Sequence, residues 1–150
     1  MINYFAFGHN TNFSEFKRRI PTAKLLGTGT LFGWKLEFKH FANIICNSIS
    51  SVQGVVYSIP SNQLKVLDKD EDYLKHYDRT RVVINLHGKN IHAFTYVMIN
   101  SYEHSKLPTY KLLPSPKYIH WVAQGYREHH IGLSQLITAL ETRIAEERYR

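Results

Sequence analysis

The chain opens on a short apolar run, residues 2–7 (INYFAF), followed by the turn Gly8-His9-Asn10. An apolar run of this length bounded by a glycine predicts a buried strand. Asn12 stands three residues before Glu15, the spacing of a helix cap, and Phe13, Phe16 and Ile20 share one face of a short helix that Pro21 terminates. Residues 23–59 read as several strands broken by glycines and short polar turns, the clearest being residues 52–59 (VQGVVYSI), rich in β-branched and aromatic side chains. Ser61 is placed to cap a helix in which Leu64 and Leu67 recur at helical spacing. Residues 79–86 and 91–99 are strand-like and flank His87-Gly88-Lys89-Asn90, which predicts a hairpin.

The last third changes period. Ser115 followed by Pro116 sets a capping side chain before a proline at the first helical position. Ile119, Val122 and Tyr126 then line one face, and after Gly132 the positions Leu133, Leu136, Ile137, Leu140 and Ile144 form an amphipathic stripe expected to face the core. Strands come first and helices last, an order that argues for an α+β fold over a doubly wound α/β sheet. A chain of 150 residues without repeats, low-complexity segments or linkers reads as a single domain over residues 1–150.

Composition adds exclusions. No apolar run approaches membrane-spanning length, and the opening residues lack the basic region and cleavage site of a secretory signal, so a cytoplasmic protein is the default expectation. The single cysteine, Cys46, cannot form an intrachain disulfide and, in its apolar stretch, reads as a small core residue. The net charge of +7 invites an anionic partner, but the basic residues are scattered and no basic-aromatic RNA-binding motif is present. A basic, nucleic-acid-associated protein is therefore only a third reading. The nine histidines lack metal-ligand spacing; His129 and His130 are adjacent and would point to different sides of a helix.

Three places offer chemistry. A glycine directly after a strand lets successive backbone N–H groups aim at one spot, a nest for a carboxylate or a developing oxyanion, and the helix start that follows adds partial positive charge. Such a turn is also a common structural element. Leu64, Leu67 and Glu71 are spaced i, i+3, i+7, which carries Glu71 onto the buried face of its helix while Asp68, Asp70 and Asp72 point elsewhere. Burial and a helix C-terminus would both raise its pKa, as a general base working near neutrality requires; a frayed helix end with Glu71 in water fits the same spacing. Tyr57, Tyr77, Tyr96 and Tyr118 stand near strand edges, as core residues or as hydroxyl donors into a cleft.

Three ordered blocks resemble the γ-glutamylcyclotransferase-like (AIG2-like) family. The opening Tyr4-Phe5-Ala6-Phe7-Gly8-His9-Asn10 resembles its Tyr-Phe-Ala-Tyr-Gly-Ser-Asn start. Val52-Gln53-Gly54-Val55-Val56-Tyr57, then Leu67-Asp68-Lys69-Asp70-Glu71 and Tyr77-Asp78-Arg79, resemble its central strand, its Leu-Asp-X-X-Glu-Gly helix end and its Tyr-X-Arg. Pro114-Ser115-Pro116-Lys117-Tyr118, followed by Gln124-Gly125, resembles its late Pro-Ser-X-X-Tyr block. The resemblance implies a small mixed β-barrel flanked by helices and an enzyme that needs no metal or cofactor. Its reaction would be intramolecular aminolysis of a small γ-glutamyl amine or peptide, giving 5-oxoproline and a free amine. It implies Glu71 as the acid–base and Phe7, Gly8, His9 and Asn10 as the cradle; Tyr77, Tyr96 and Tyr118 are candidate wall residues. The chain departs from the pattern with Phe7 for tyrosine, His9 for serine and Asp72 for the glycine after the glutamate. The alternative reading is a non-catalytic module of the same fold that binds a small metabolite or a protein.

Overall fold

The computed structural model describes residues 1–70, 77–99 and 113–148. Five strands, β1 (Ile2–Ala6), β2 (Lys24–Lys39), β3 (Phe41–Ile59), β4 (Tyr77–Leu86) and β5 (Lys89–Met98), close a barrel in the order β1-β3-β2-β4-β5. Every pairing is antiparallel except β1 with β5, which run parallel and meet at Tyr4 and Phe94. The Thr95 hydroxyl crosses this seam and donates to the Phe5 carbonyl at 2.8 Å. The helices are α1 (Phe13–Arg19), α2 (Leu64–Asp70), α3 (Pro116–Glu128) and α4 (Ser134–Arg148). This is an α+β fold, a small mixed barrel flanked by helices. No helix of the described residues is long and apolar enough to cross a membrane.

Residues 23–59 are two long strands rather than several short ones. The glycines that suggested breaks are absorbed as irregularities: the β2–β3 register shifts between Leu25 and Gly27 and again between Phe32 and Trp34, where Gly27 and Gly33 take φ of 137° and 85°. Such left-handed positions cost glycine little and let a bulge bend a strand without ending it, which a five-stranded barrel requires. Cys46 is exposed, not core. It pairs with Trp34 beside the second shift, where the ribbon turns solvent-exposed at Ile45, Cys46, Ser48 and Ile49.

The hairpin forms with the two-residue turn His87-Gly88, φ 51° and 83°, between Leu86 and Lys89. Both central residues are left-handed, as the twist of paired strands favours. The Asn12 side chain caps α1 by accepting from the Glu15 N–H at 3.2 Å, and Ser115 caps α3 by accepting from the Tyr118 N–H at 3.1 Å. Ser61 makes no cap; a 3-10 turn over Ser61–Gln63 leads into α2 instead. His129 and His130 follow α3 rather than lying within it, and His130 takes the left-handed conformation that ends the helix.

The last helix keeps part of the expected stripe, since Leu133, Leu136 and Leu140 pack against the core, but its buried face is turned toward Ala139 and Arg143. Leu136, Ala139 and Arg143 are buried, while Ile137 and Ile144 stay about half exposed. Gln135 supplies the reason. Its amide accepts from the Gln53 N–H and donates to the Gln53 carbonyl, both at 2.8 Å, so it binds the backbone of β3 as a neighbouring strand would. Fixing position 135 against the barrel turns 136, 139 and 143 inward, because each residue advances about 100°. Arg143 is tolerated there because its guanidinium meets Glu146 at 3.0 Å and Glu147 at 3.6 Å.

Candidate active site

The loop from Phe7 to Asn10 leaves the end of β1 and enters a 3-10 turn, His9–Thr11. Its carbonyls are held by donors from three parts of the fold. The Tyr126 hydroxyl donates to the Phe7 carbonyl at 2.6 Å. The Thr11 N–H and hydroxyl donate to the Gly8 carbonyl at 3.1 and 2.7 Å. The Asn12 N–H donates to the His9 carbonyl at 3.2 Å, and the Tyr57 hydroxyl to the Asn10 carbonyl at 2.8 Å. The described peptides are all trans, and across a trans peptide one residue's carbonyl and the next residue's N–H point opposite ways. The Gly8 N–H is thus directed away from Tyr126, and the His9 N–H away from Thr11.

Packing fixes this geometry. Tyr57 and Tyr126 are fully buried, and burial pushes both phenols well above their ordinary range; nearby Glu128 adds to the shift at Tyr57 and Arg19 opposes it, while the Gln135 hydrogen bond opposes it at Tyr126. Both hydroxyls therefore keep their protons and remain donors. The Tyr57 ring stacks on Phe16 at 4.2 Å, so α1 holds it in place. Gly125 gives the close approach of α3: a Cβ there would overlap the Thr11 hydroxyl and lie 2.8 Å from the Asn12 nitrogen.

The structure brings Phe7, Gly8, His9 and Tyr118 together. A Cβ on Gly8 would lie 3.2 Å from the Tyr118 hydroxyl, and His9 lies 6.0 Å, ring to ring, from Tyr118 and 5.8 Å from Trp121. The Tyr118 hydroxyl accepts the Ala42 N–H at 3.0 Å, which ties it to the start of β3. The Asn10 side chain braces the loop: it is buried, donates to the Tyr4 hydroxyl at 3.1 Å and accepts from Arg19. Tyr77 is buried at the first position of β4, opposite Met98. Tyr96 is buried and donates to Asp68 on α2, 3.4 Å from the Arg79 guanidinium.

Glu71 lies outside the described residues, so its assignment rests on the sequence. The described helix before it is α2, with Leu67 buried and Asp68 turned inward to Tyr96 and Arg79. The inward turn of Asp68 corrects the expectation that it points elsewhere. Leu64, Leu67, Asp68 and Glu71 fall at i, i+3, i+4 and i+7, the full stripe of one helical face, so the spacing contained this signal. Sequence reasoning also missed Trp121, three residues after Tyr118 on α3, and the Tyr126–Gln135 clamp, which no local pattern marks. Among the described residues no group of three His, Cys, Asp or Glu side chains is placed to hold a metal ion.

Comparison with solved structures places the fold beside a gamma-glutamyl cyclotransferase, at TM-score 0.79 and 24% identity over 92% of this chain and 85% of the other. The uncharacterized human protein loc79017 aligns at TM-score 0.78 and 24% identity, over the same shares of the two chains. YkqA from Bacillus subtilis aligns at TM-score 0.70 and 19% identity, over 85% of this chain and 49% of its own. Comparison with curated proteins found no match. The family model described as Gamma-glutamyl cyclotransferase, AIG2-like, matches residues 4–121, which include β1 from Tyr4 onward, the cradle loop, β2 to β5 and the first half of α3. The chain belongs to the gamma-glutamyl cyclotransferase, AIG2-like family.

Proposed function

We propose that the protein cyclises a small γ-glutamyl amine or peptide, releasing 5-oxoproline and the free amine. The observation that supports this most is the Phe7–Asn10 loop, whose carbonyls are held by Tyr126, Thr11, Asn12 and Tyr57 so that the Gly8 and His9 N–H groups face away from them. Fixed amides of this kind suit a substrate carboxylate or the negative oxygen that develops on an attacked carbonyl, and such a donor contributes on the order of 10²–10³ in rate.

The substrate's α-amine attacks its own γ-carbonyl. A carbon–nitrogen bond closes a five-membered ring and the original amide bond breaks; in becoming the ring N–H the α-ammonium gives up two protons, one carried to the departing nitrogen as the amide bond breaks and the other taken up by the freed amine, which leaves as an ammonium. Because both reacting ends belong to one molecule, the protein's tasks are to fold the substrate into the reactive conformation and to move the first of these protons. In this reading Glu71 moves it, the Gly8 and His9 amides hold oxygen, and Tyr118 with Tyr96 and Tyr77 form walls. Rigid walls suit a reaction whose entropy cost lies in ring closure.

The experiment is incubation of the protein with a panel of γ-glutamyl amines and dipeptides, with 5-oxoproline as the readout. Release from at least one member is expected. No release from any member, with the protein folded, would sink the enzyme reading and leave a binding module of the same fold.

A further inference from the structure

Beside the cradle lies a chain of aromatic rings that extends past the groups assigned to the ring closure. Trp121 stands 5.8 Å from His9, His9 6.0 Å from Tyr118, Tyr118 5.2 Å from Phe41, and Phe41 4.5 Å from His40. The rings come from three separate parts of the chain: the cradle loop, the start of β3 with its preceding turn, and α3. Phe41 is 45% exposed, and His9, Tyr118 and Trp121 are each only partly buried, so the band is not interior packing.

The band is held still. His40, at φ 74°, donates through Nδ1 to the Leu113 carbonyl at 3.1 Å, Tyr118 accepts the Ala42 N–H at 3.0 Å, and the His9 carbonyl accepts the Asn12 N–H at 3.2 Å. A ring set already fixed before binding loses little freedom when a ligand settles on it. Neighbouring rings are tilted by 42° to 67° rather than stacked face to face, the kind of arrangement in which aromatic groups meet edge to face. A Cβ on Gly8 would lie 3.2 Å from the Tyr118 hydroxyl, and His9 is itself part of the cradle loop, so the rings border the place where the Gly8 and His9 amides would hold an oxygen.

We propose that this rim of His9, Tyr118, Trp121 and Phe41 is the subsite for the leaving amine, and that it selects γ-glutamyl conjugates of aromatic amines over those of small amines. The assignment rests on the cyclotransferase reading of the cradle and names its substrate class. His9 is then a specificity residue: an imidazole between two rings extends the band where a serine would interrupt it. Trp121 supplies the largest face.

The test compares L-γ-glutamyl benzylamide with L-γ-glutamyl methylamide on the full chain, by kcat/KM for 5-oxoproline release and by calorimetric binding. The benzylamide is expected to be better by at least about tenfold, the lower range for an apolar contact in a pocket. Trp121→Ala should bring that ratio toward one. Because loss of Trp121 also removes packing from α3, His9→Ser, which keeps the backbone amide, serves as a second variant and should reduce the ratio. Equal kcat/KM for the two amides overturns the subsite and leaves the cyclotransferase reading standing. Preferential binding of the benzylamide without turnover upholds the subsite and overturns the cyclotransferase reading. Absence of both binding and turnover for both amides overturns both. An unchanged preference in folded His9→Ser removes His9 from the subsite.

Discussion

Two residues bear most directly on the proposed reaction. Glu71→Gln keeps the shape of the side chain and removes the proton it would exchange. In the cyclising enzyme this substitution should lower kcat by about 10²–10⁴, the usual contribution of a positioned acid–base, with little change in thermal midpoint. A folded variant that turns over near the parent rate would take Glu71 out of the mechanism. Tyr126 acts on the cradle through one hydroxyl. Tyr126→Phe leaves the buried Phe7 carbonyl without its donor, which should cost about 1–3 kcal/mol in urea unfolding and lower kcat/KM as the loop relaxes. Unchanged stability would mean the 2.6 Å hydrogen bond contributes nothing net. At this scale the sequence shows residue types and leaves out partners. Tyr57 reads equally well as core or as donor, and it is both, because its ring stacks on Phe16 while its hydroxyl reaches a carbonyl 47 positions earlier.

Elements were legible where one local rule decides them. Ser115-Pro116 begins α3, Asn12 caps α1, and a glycine-containing turn closes the β4–β5 hairpin, each within a few residues of sequence. Elements were misread where a distant contact decides. The glycines of β2 look like breaks until pairing with β3 absorbs them, and the whole stripe on α4 looks like a core face until Gln135 engages β3. The rotation of α4 can be measured. Leu136→Ala removes a buried side chain and should destabilise by about 2–5 kcal/mol. Ile137→Ala, about half exposed, should cost well under half as much in the same urea titration. Equal losses at both positions would restore the stripe expected from hydropathy.

Over the whole molecule, strand order was beyond the sequence. Nothing local indicates that β1 meets β5 in parallel while all other neighbours are antiparallel, since that closure depends on loops and on Thr95 reaching Phe5. The core, between barrel and α3, also gathers two buried phenols whose ionisation opposes the fold. The unfolded chain releases these protons near pH ~10, the ordinary tyrosine value, while the folded chain retains them. The folded state then binds more protons, so stability is fully present below about pH 10 and falls as pH rises beyond it. The thermal midpoint should decline across that alkaline range, and Tyr57→Phe, with one such group fewer, should decline less steeply. Parallel curves for the two proteins would show that Tyr57 titrates alike in both states.

The family match ends at residue 121, within α3, yet Gln135 lies beyond it and donates at 2.9 Å to the hydroxyl that holds the Phe7 carbonyl. The same amide group grips β3. The tail of the chain thereby has leverage over the loop that would meet the substrate, through one glutamine and one tyrosine. Exchange of this C-terminal helix between relatives would transmit itself to the cradle even with every motif residue left in place. Catalytic performance in such chimaeras would follow the origin of the helix as much as that of the barrel.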